Sequence, residues 1–286
     1  MCELNNDLTR VGHTRAQFRL SENEADGLRC AIDEVTGSLR EGQQQSMIAE
    51  RFGDPSTTRG WKINNAWTVH SEFARMATSQ KLVCEIAQLT GARTLQLWRD
   101  QVLFKPAGSG GIVKWHQDAY WWSILSPHSQ VTAWVALDDV DRENGCLRMV
   151  DRSHEWGVRT RAVRILNELS ALPLSIEGLD LCVSDYVMAA GEVSYHHCLT
   201  WHASYPNTSS RPRRAYAIHY LVDETRVARD GEHPIKDLIT TDATGCIAGP
   251  LFPTLWRNGE YVKPAVINKP QCHESPELSV GSAHDG

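Results

Sequence analysis

No two cysteines in the 286-residue chain stand at the CxxC spacing of a zinc ribbon or a thiol redox site; the eight are scattered at positions 2, 30, 84, 146, 182, 198, 246 and 272. A chain this long folds without disulfides, so most of these thiols are expected to be small buried hydrophobes in a reducing compartment. No stretch approaches the roughly 20 apolar residues that span a bilayer, and Met1–Arg19 is polar, without a signal-peptide core. Basic surplus is missing as well. Lys and Arg number 29 against 35 Asp and Glu, a net charge of −6 with His neutral, which argues against a dedicated nucleic-acid binder. There is no repeat and no low-complexity run, and a hydrophobic content of 41% excludes disorder over most of the chain. The expectation is a soluble cytoplasmic protein, monomer or homodimer, whose partner is a small molecule and neither nucleic acid nor membrane.

Tryptophan, by contrast, is abundant at ten residues, and Trp115, Trp121, Trp122 and Trp134 fall close together. Core packing and pocket lining explain that cluster about equally well. The first third reads as helical. Ser21-Glu22-Asn23-Glu24 is a capping-box pattern, and Leu28, Ala31, Ile32, Val35 and Leu39 follow at helical spacing. A second helix is predicted over Gln80–Leu89, with Ser79 as cap and Gly91 as terminator, and residues 52–63 read as loop. From Thr94 the texture changes to short strand candidates separated by Gly, Asn and Asp turns, which predicts a sandwich or barrel and not a βαβ array. The predicted organisation is one domain over 1–286, with a helical front over about 20–92, a β core over about 94–222, and an extension and loose tail over about 223–286.

Chemistry concentrates in two segments. In Lys114-Trp115-His116-Gln117-Asp118 the HxD pair sits on a predicted strand, where residues i and i+2 share a face and can bind one metal. Alone the pair is weak evidence, since 12 histidines produce such pairs by chance; His70-Ser71-Glu72 is one, on a helical stretch where i and i+2 diverge. The second segment is His202-Ala203-Ser204-Tyr205-Pro206-Asn207, followed by Arg211, Arg213 and Arg214. Two His and one carboxylate form a facial triad that leaves about three positions open on a non-haem Fe(II). Those positions suit a bidentate 2-oxo acid and dioxygen, and an Arg fork nearby suits the acid's far carboxylate.

These residues resemble the phytanoyl-CoA dioxygenase family of Fe(II)/2-oxoglutarate oxygenases. The likeness runs from about Ser21 to Val222. It is strongest over Asp100–Pro106, Trp115–Asp118, Ala133–Leu137 and Glu143–Leu147, and again over His202–Ala215. Position by position, the resemblance implies His116, Asp118 and His202 as iron ligands and Arg213 as the 2-oxoglutarate carboxylate anchor. Ser204 is implied as its hydroxyl partner, Trp134 as an aromatic wall, and Gln101 as a further cosubstrate contact. Tyr120, Trp121 and Trp122, just past the HxD pair, are expected at the substrate. At most one of the two tryptophans is expected to face the iron, offering flat apolar area or a cation–π surface for an amine. Two departures from the family pattern stand out. Arg152 precedes Ser153-His154 where the family often has Gly, so His154 reads as a structural hydrogen-bonding residue; and the usual opening apolar strand is missing.

The remaining candidates carry less weight. His196 and His197 precede His202 but lack its spacing to Arg213, His219 reads as a core residue or one behind the ligands, and Arg211 and Arg214 are expected to be solvated. The acids at 138, 139, 141 and 143 read as a turn. The fold implied is a double-stranded β-helix (jelly roll, mainly β with flanking helices). The chemistry implied is oxidation of a small metabolite, with a natural-product intermediate as the expected type, coupled to decarboxylation of 2-oxoglutarate to succinate and CO₂, with O₂ consumed and ascorbate as a stimulant. A carboxylate at Asp118, where a Gly or Ala would free a halide site, favours hydroxylation, desaturation or ring formation over halogenation. The alternatives are a jelly-roll protein that only binds a ligand, which predicts a broken triad, and a zinc hydrolase, which gives Arg213 no task.

Overall fold

The computed structural model describes residues 7–40, 50–52, 60–108, 110–227, 236 and 239–264. Its larger antiparallel sheet runs in the order His13–Arg19, Glu192–His197, Val131–Ala136, Arg213–Val222 and Thr94–Lys105. Beyond the last of these, Thr254–Arg257 and Trp61–Asn64 pair with different parts of its far edge. A second sheet orders Val183–Tyr186, Leu147–Val150, His202–Ser204 and Val113–His116. This is the expected jelly roll, mainly β with helices at its side.

Strand alternation assigns the two faces of the larger sheet. Val131, Ala133, Val135, Val193, Tyr195, Tyr216, Ile218 and Tyr220 point one way, into a core they share with Leu28 and Ile32 of the Glu22–Arg40 helix and Leu82 and Ile86 of the Gln80–Thr90 helix. Their neighbours Thr132, Trp134, His196, Arg213, Ala217 and His219 point the other way and line a cavity. With both faces covered, Val131–Ala136 is buried at every residue. The helices therefore hold the back of the sheet while its front carries polar side chains.

The capping box forms: Ser21 N–H donates to Glu24 Oε2 at 2.8 Å, and Glu24 N–H donates back to Ser21 Oγ. Gly91 ends the second helix in the left-handed conformation at φ 67°. Ser79 stands at the cap position, but its hydroxyl accepts no hydrogen bond from the helix.

Several expectations are corrected. Residues 52–63 are not loop throughout, because Trp61–Asn64 pairs with the long strand (Ile63 opposite Val102) and also takes Glu50–Phe52 as a partner. An opening strand does exist. After the buried His13, the strand His13–Arg19 alternates half-buried and exposed residues at the sheet edge, so it lacks the apolar run that would announce it. Residues past 222 are not all extension, since Thr254–Arg257 joins the main sheet beside Leu95; the expected tail from 265 onward lies outside the described residues. Of the described cysteines only Cys146 and Cys198 are buried, and Cys30 and Cys182 are exposed. No described helix is long and apolar enough to cross a membrane.

Candidate metal centre and its cavity

His116 and Asp118 converge, but not through the pleat of one strand. The strand ends at His116, Gln117 turns the chain, and Asp118 opens a short helical segment to Trp121. Gln117 is buried and pins that corner by donating to Gly157 O at 2.9 Å and Leu199 O at 2.7 Å. His202 arrives from the neighbouring strand, directly opposite His116 in register. One ligand atom each from His116, Asp118 and His202 lies within 4.8 Å of the others. Asp118 Oδ1 is 3.9 Å from His116 Nε2 and 3.7 Å from His202 Nε2.

Both histidines are oriented from behind. His116 Nδ1 donates to Lys114 O at 2.8 Å and His202 Nδ1 to Thr200 O at 2.9 Å, which leaves each Nε2 lone pair directed at the centre. Burial pushes both pKa values down to about 4, so both rings are neutral at physiological pH, as metal binding requires. Burial alone would push the Asp118 carboxyl up. His202 and His196 around it win instead, and it is held well below the usual carboxylate range. Its second oxygen accepts from Thr132 Oγ1 at 2.9 Å and lies 3.4 Å from His196 Nε2, and Thr132 is bonded in turn to His219 Nδ1 at 2.8 Å. A neutral-His, ionised-Asp set with an oxygen and two nitrogens facing one point fits a divalent transition ion.

The surrounding cavity measures about 1880 Å³. At its inner end Arg213 and Lys105 are both almost fully buried, and Arg213 Nε and Nη1 have no hydrogen-bond partner. Burial, with Arg213 beside it, pushes the Lys105 ammonium down to about 7; burial pushes Arg213 down to about 10. Among the described residues, Lys105 Nζ donates to two carbonyls, those of Gly111 and Tyr205. Trp134 lies with its ring centroid 5.6 Å from the Arg213 guanidinium, and Ser204 Oγ is buried without a partner on the same wall. Among the described residues neither buried cation has an ion-pair partner, Asp138 acting on Arg213 only at longer range, and together they form a socket for an anion. A dicarboxylate that chelates a metal with one end and reaches the cations with the other meets every one of these groups.

The other expected residues are placed as follows. Gln101 lines the cavity and donates to Asn64 Oδ1 at 2.8 Å. Trp122 is 3% exposed and packs edge-on against His219, whereas Trp121 is 59% exposed at the mouth with its ring against Tyr120. His197 is turned away from the cavity and accepts from Leu199 N at 3.2 Å. His154 bonds Thr9 O. His70 caps the Ser71–Ala77 helix by accepting from Glu72 N. Arg211 and Arg214 are not merely solvated: the acidic turn supplies their partners, Asp141 to Arg211 and Asp138 to Arg214 through two bonds of 2.7 and 3.1 Å. Arg213, between them in sequence, faces the opposite side and is the one left for the cavity.

Sequence reasoning overlooked Lys105, Thr132 and Asn167. Lys105 was visible by parity, two positions beyond Leu103 and four beyond Gln101 on one strand face. Asn167 fastens the Thr160–Glu168 helix over the cavity, its side chain donating to Trp115 O and accepting from Trp115 N, both at 2.8 Å; no local signal marks it.

A family model described as phytanoyl-CoA dioxygenase matches residues 10–215. A phytanoyl-CoA dioxygenase domain-containing protein 1 of Danio rerio is 32% identical over 164 residues, 54% of each chain. Its Mus musculus counterpart is 30% identical over 221 residues, 73% of this chain and 75% of that one. The chain thus spans about half the length of the first relative. Among solved structures, the non-haem α-ketoglutarate-dependent carbocyclase SnoK of nogalamycin biosynthesis superposes with a TM-score of 0.68 at 24% identity, over 89% of this chain and 96% of that one. That likeness is one of fold.

Proposed function

Since this chain belongs to the phytanoyl-CoA dioxygenase family, we propose that it is an Fe(II)/2-oxoglutarate-dependent oxygenase of a small metabolite. The reaction would be a hydroxylation, desaturation or ring closure coupled to release of succinate and CO₂, with natural-product biosynthesis as the setting. The observation that carries this reading is the His116–Asp118–His202 cluster in a cavity whose inner end presents Arg213 and Lys105. Iron bound at the three residues, with dioxygen and 2-oxoglutarate, supplies the oxidising power.

The protein's own work is placement. Thr132 and the backbone carbonyls behind the two histidines fix the ligand atoms before the metal arrives. Arg213 and Lys105 hold the far carboxylate, and Trp134 closes one side of it. The cavity far exceeds the room a dicarboxylate needs, which leaves space for a substrate between the centre and the mouth. A zinc hydrolase would use the same triad but would leave the two buried cations without a task.

The test is succinate formation by the purified protein with 2-oxoglutarate, measured with and without added Fe(II) and then across a metabolite library. Iron-dependent succinate that a library compound stimulates supports the proposal. Ligand binding without iron-dependent succinate under any condition would convert the protein into a silent jelly-roll binder.

A further inference from the structure

The cavity carries a charge opposite to that of the chain. The sequence has a net charge of −6, yet among the described residues the cavity is lined by Lys62, Arg99, Lys105, Lys114, Arg164 and Arg213, with Asp118 as the one carboxylate. A cleft lined with one sign of charge focuses its field and concentrates ligands of the other sign. The cosubstrate's far carboxylate accounts for Lys105 and Arg213. Lys114 and Arg164, both exposed at the mouth, are not explained by it.

Those two are brought together by construction. The Thr160–Glu168 helix shows Thr160, Val163, Arg164 and Asn167 to the cavity, the i, i+3, i+4, i+7 stripe of one helix face. Its opposite face buries Ala162 and Leu166 against Trp201 and Val150. Asn167 is fastened to the backbone of Trp115, so Arg164, one turn back on the same face, is held beside the strand that carries Lys114. Arg161 on the same helix pairs with Glu177 at 3.6 Å, whereas Arg164 has no ion-pair partner among the described residues.

The rest of the mouth is apolar. Ile112, Val113, Tyr120, Trp121 and Val158 line the cavity, and they are five of the nine large hydrophobic residues that the described surface exposes. Such clustering at one opening marks a binding surface. We propose that the substrate is a ring-bearing organic anion, its apolar body against Trp121 and its neighbours and its anionic group held by Lys114 and Arg164. The inference rests on the oxygenase reading for the position of the carbon to be oxidised. It also reverses one expectation drawn from the tryptophans: an amine on a cation–π surface would have to enter a cavity already crowded with positive charge.

Two fluorescent probes with one ring system separate charge from apolar area: 8-anilino-1-naphthalenesulfonate, and N-phenyl-1-naphthylamine, which lacks the sulfonate. Each is titrated without oxygen into protein loaded with Fe(II) and 2-oxoglutarate, so that the inner end is filled. The sulfonate should bind about tenfold tighter at low salt, and the gap should close at high salt. A Lys114→Gln/Arg164→Gln double variant, altered at exposed positions, should bind both probes alike. Arg211→Gln, outside the cavity, should keep the gap, and Trp121→Ala should weaken both probes together. Equal binding of the two probes to the wild type, or a charge preference that survives the double variant, overturns the proposal. Cosubstrate binding is read separately, from the visible absorption of Fe(II) with 2-oxoglutarate. Charge preference without that absorption would sink the oxygenase reading and keep this inference; the absorption without charge preference would do the reverse.

Discussion

Occupying the Lys105–Arg213 socket should draw a proton out of solution. Lys105 sits at a pKa of about 7 because it is buried and faces the Arg213 guanidinium. At pH 8 such an amine is about one-tenth protonated. A carboxylate arriving within about 4–6 Å favours the charged form enough to lift that pKa to between about 8 and 10. Cosubstrate binding at pH 8 should therefore take up about 0.4 to 0.9 of a proton. Calorimetric titration of 2-oxoglutarate into the anaerobic Fe(II) protein, repeated in buffers of different ionisation enthalpy, reads that number as a slope. At pH 6 the slope should nearly vanish, because the lysine is already charged. In Lys105→Met it should vanish at both pH values, while Arg213→Leu should lower affinity about tenfold or more, the loss of a charge-assisted bond of about 1.5–3 kcal/mol. A flat buffer dependence at pH 8 in the wild type, or the same slope in Lys105→Met, would refute the socket. The sign also fixes the ligand-free protein's behaviour. The unfolded chain holds the proton up to higher pH than the folded one, so this group makes the fold more stable as pH rises from about 7 to about 10.

Alanine at His116, Asp118 or His202 should abolish Fe(II) binding by calorimetry with the fold retained by circular dichroism, and His197→Ala should bind iron as the wild type does; the reverse for His202 and His197 would mean that the distal ligand is misassigned. Asp100 gives a pH signature away from the centre: burial pushes its carboxyl up to about 7 although Tyr216 and Trp67 donate to it, so the stability it contributes is lost as pH rises toward 7. Asp100→Asn should flatten the wild-type fall in stability between about pH 5 and 7, a difference of about 2 kcal/mol, and parallel pH profiles would refute that role. Trp122→Ala should cost about 3–5 kcal/mol in denaturant unfolding, since that ring is buried in the core around Ile124 and Leu221. Trp121→Ala should leave unfolding nearly unchanged and raise succinate formation uncoupled from product; equal destabilisation by both would return Trp121 to the core.

What was legible in the sequence is what depends on spacing within one segment. The capping box at Ser21, the left-handed stop at Gly91 and the run of β strands after Thr94 all fall where periodicity and turn chemistry put them. The HxD segment and the Arg213 block were legible too, because each packs its groups into a few residues. Features that depend on distant partners were not. Arg214 looks like any surface arginine until Asp138, on another strand's end, supplies both of its bonds. His13–Arg19 and Thr254–Arg257 are edge or near-edge strands with mixed faces, so neither has an apolar alternation to declare it. The HxD pair does converge with His202, but for a reason other than strand parity, since a backbone turn at Gln117 brings its two side chains together.

The same alternation that builds the core turns polar side chains to the front of the sheet, and several of them are buried there without a partner. Buried polar atoms normally find partners, so unpartnered ones call for a cause. Among the described residues, such atoms occur on Arg213, Ser204, Trp134, His196 and His219, which line the cavity, and also away from it on Trp98, Asp100, Gln130, His154, Ser194 and Trp201. Those on Arg213 and Ser204 face the same cavity beside a second buried cation, so an anion is the partner that suits them. An apolar replacement such as Arg213→Leu should therefore stabilise the empty protein, or leave it no less stable, while weakening its hold on 2-oxoglutarate. Loss of both stability and binding would mean that the guanidinium is part of the scaffold and the argument from unpaired groups fails.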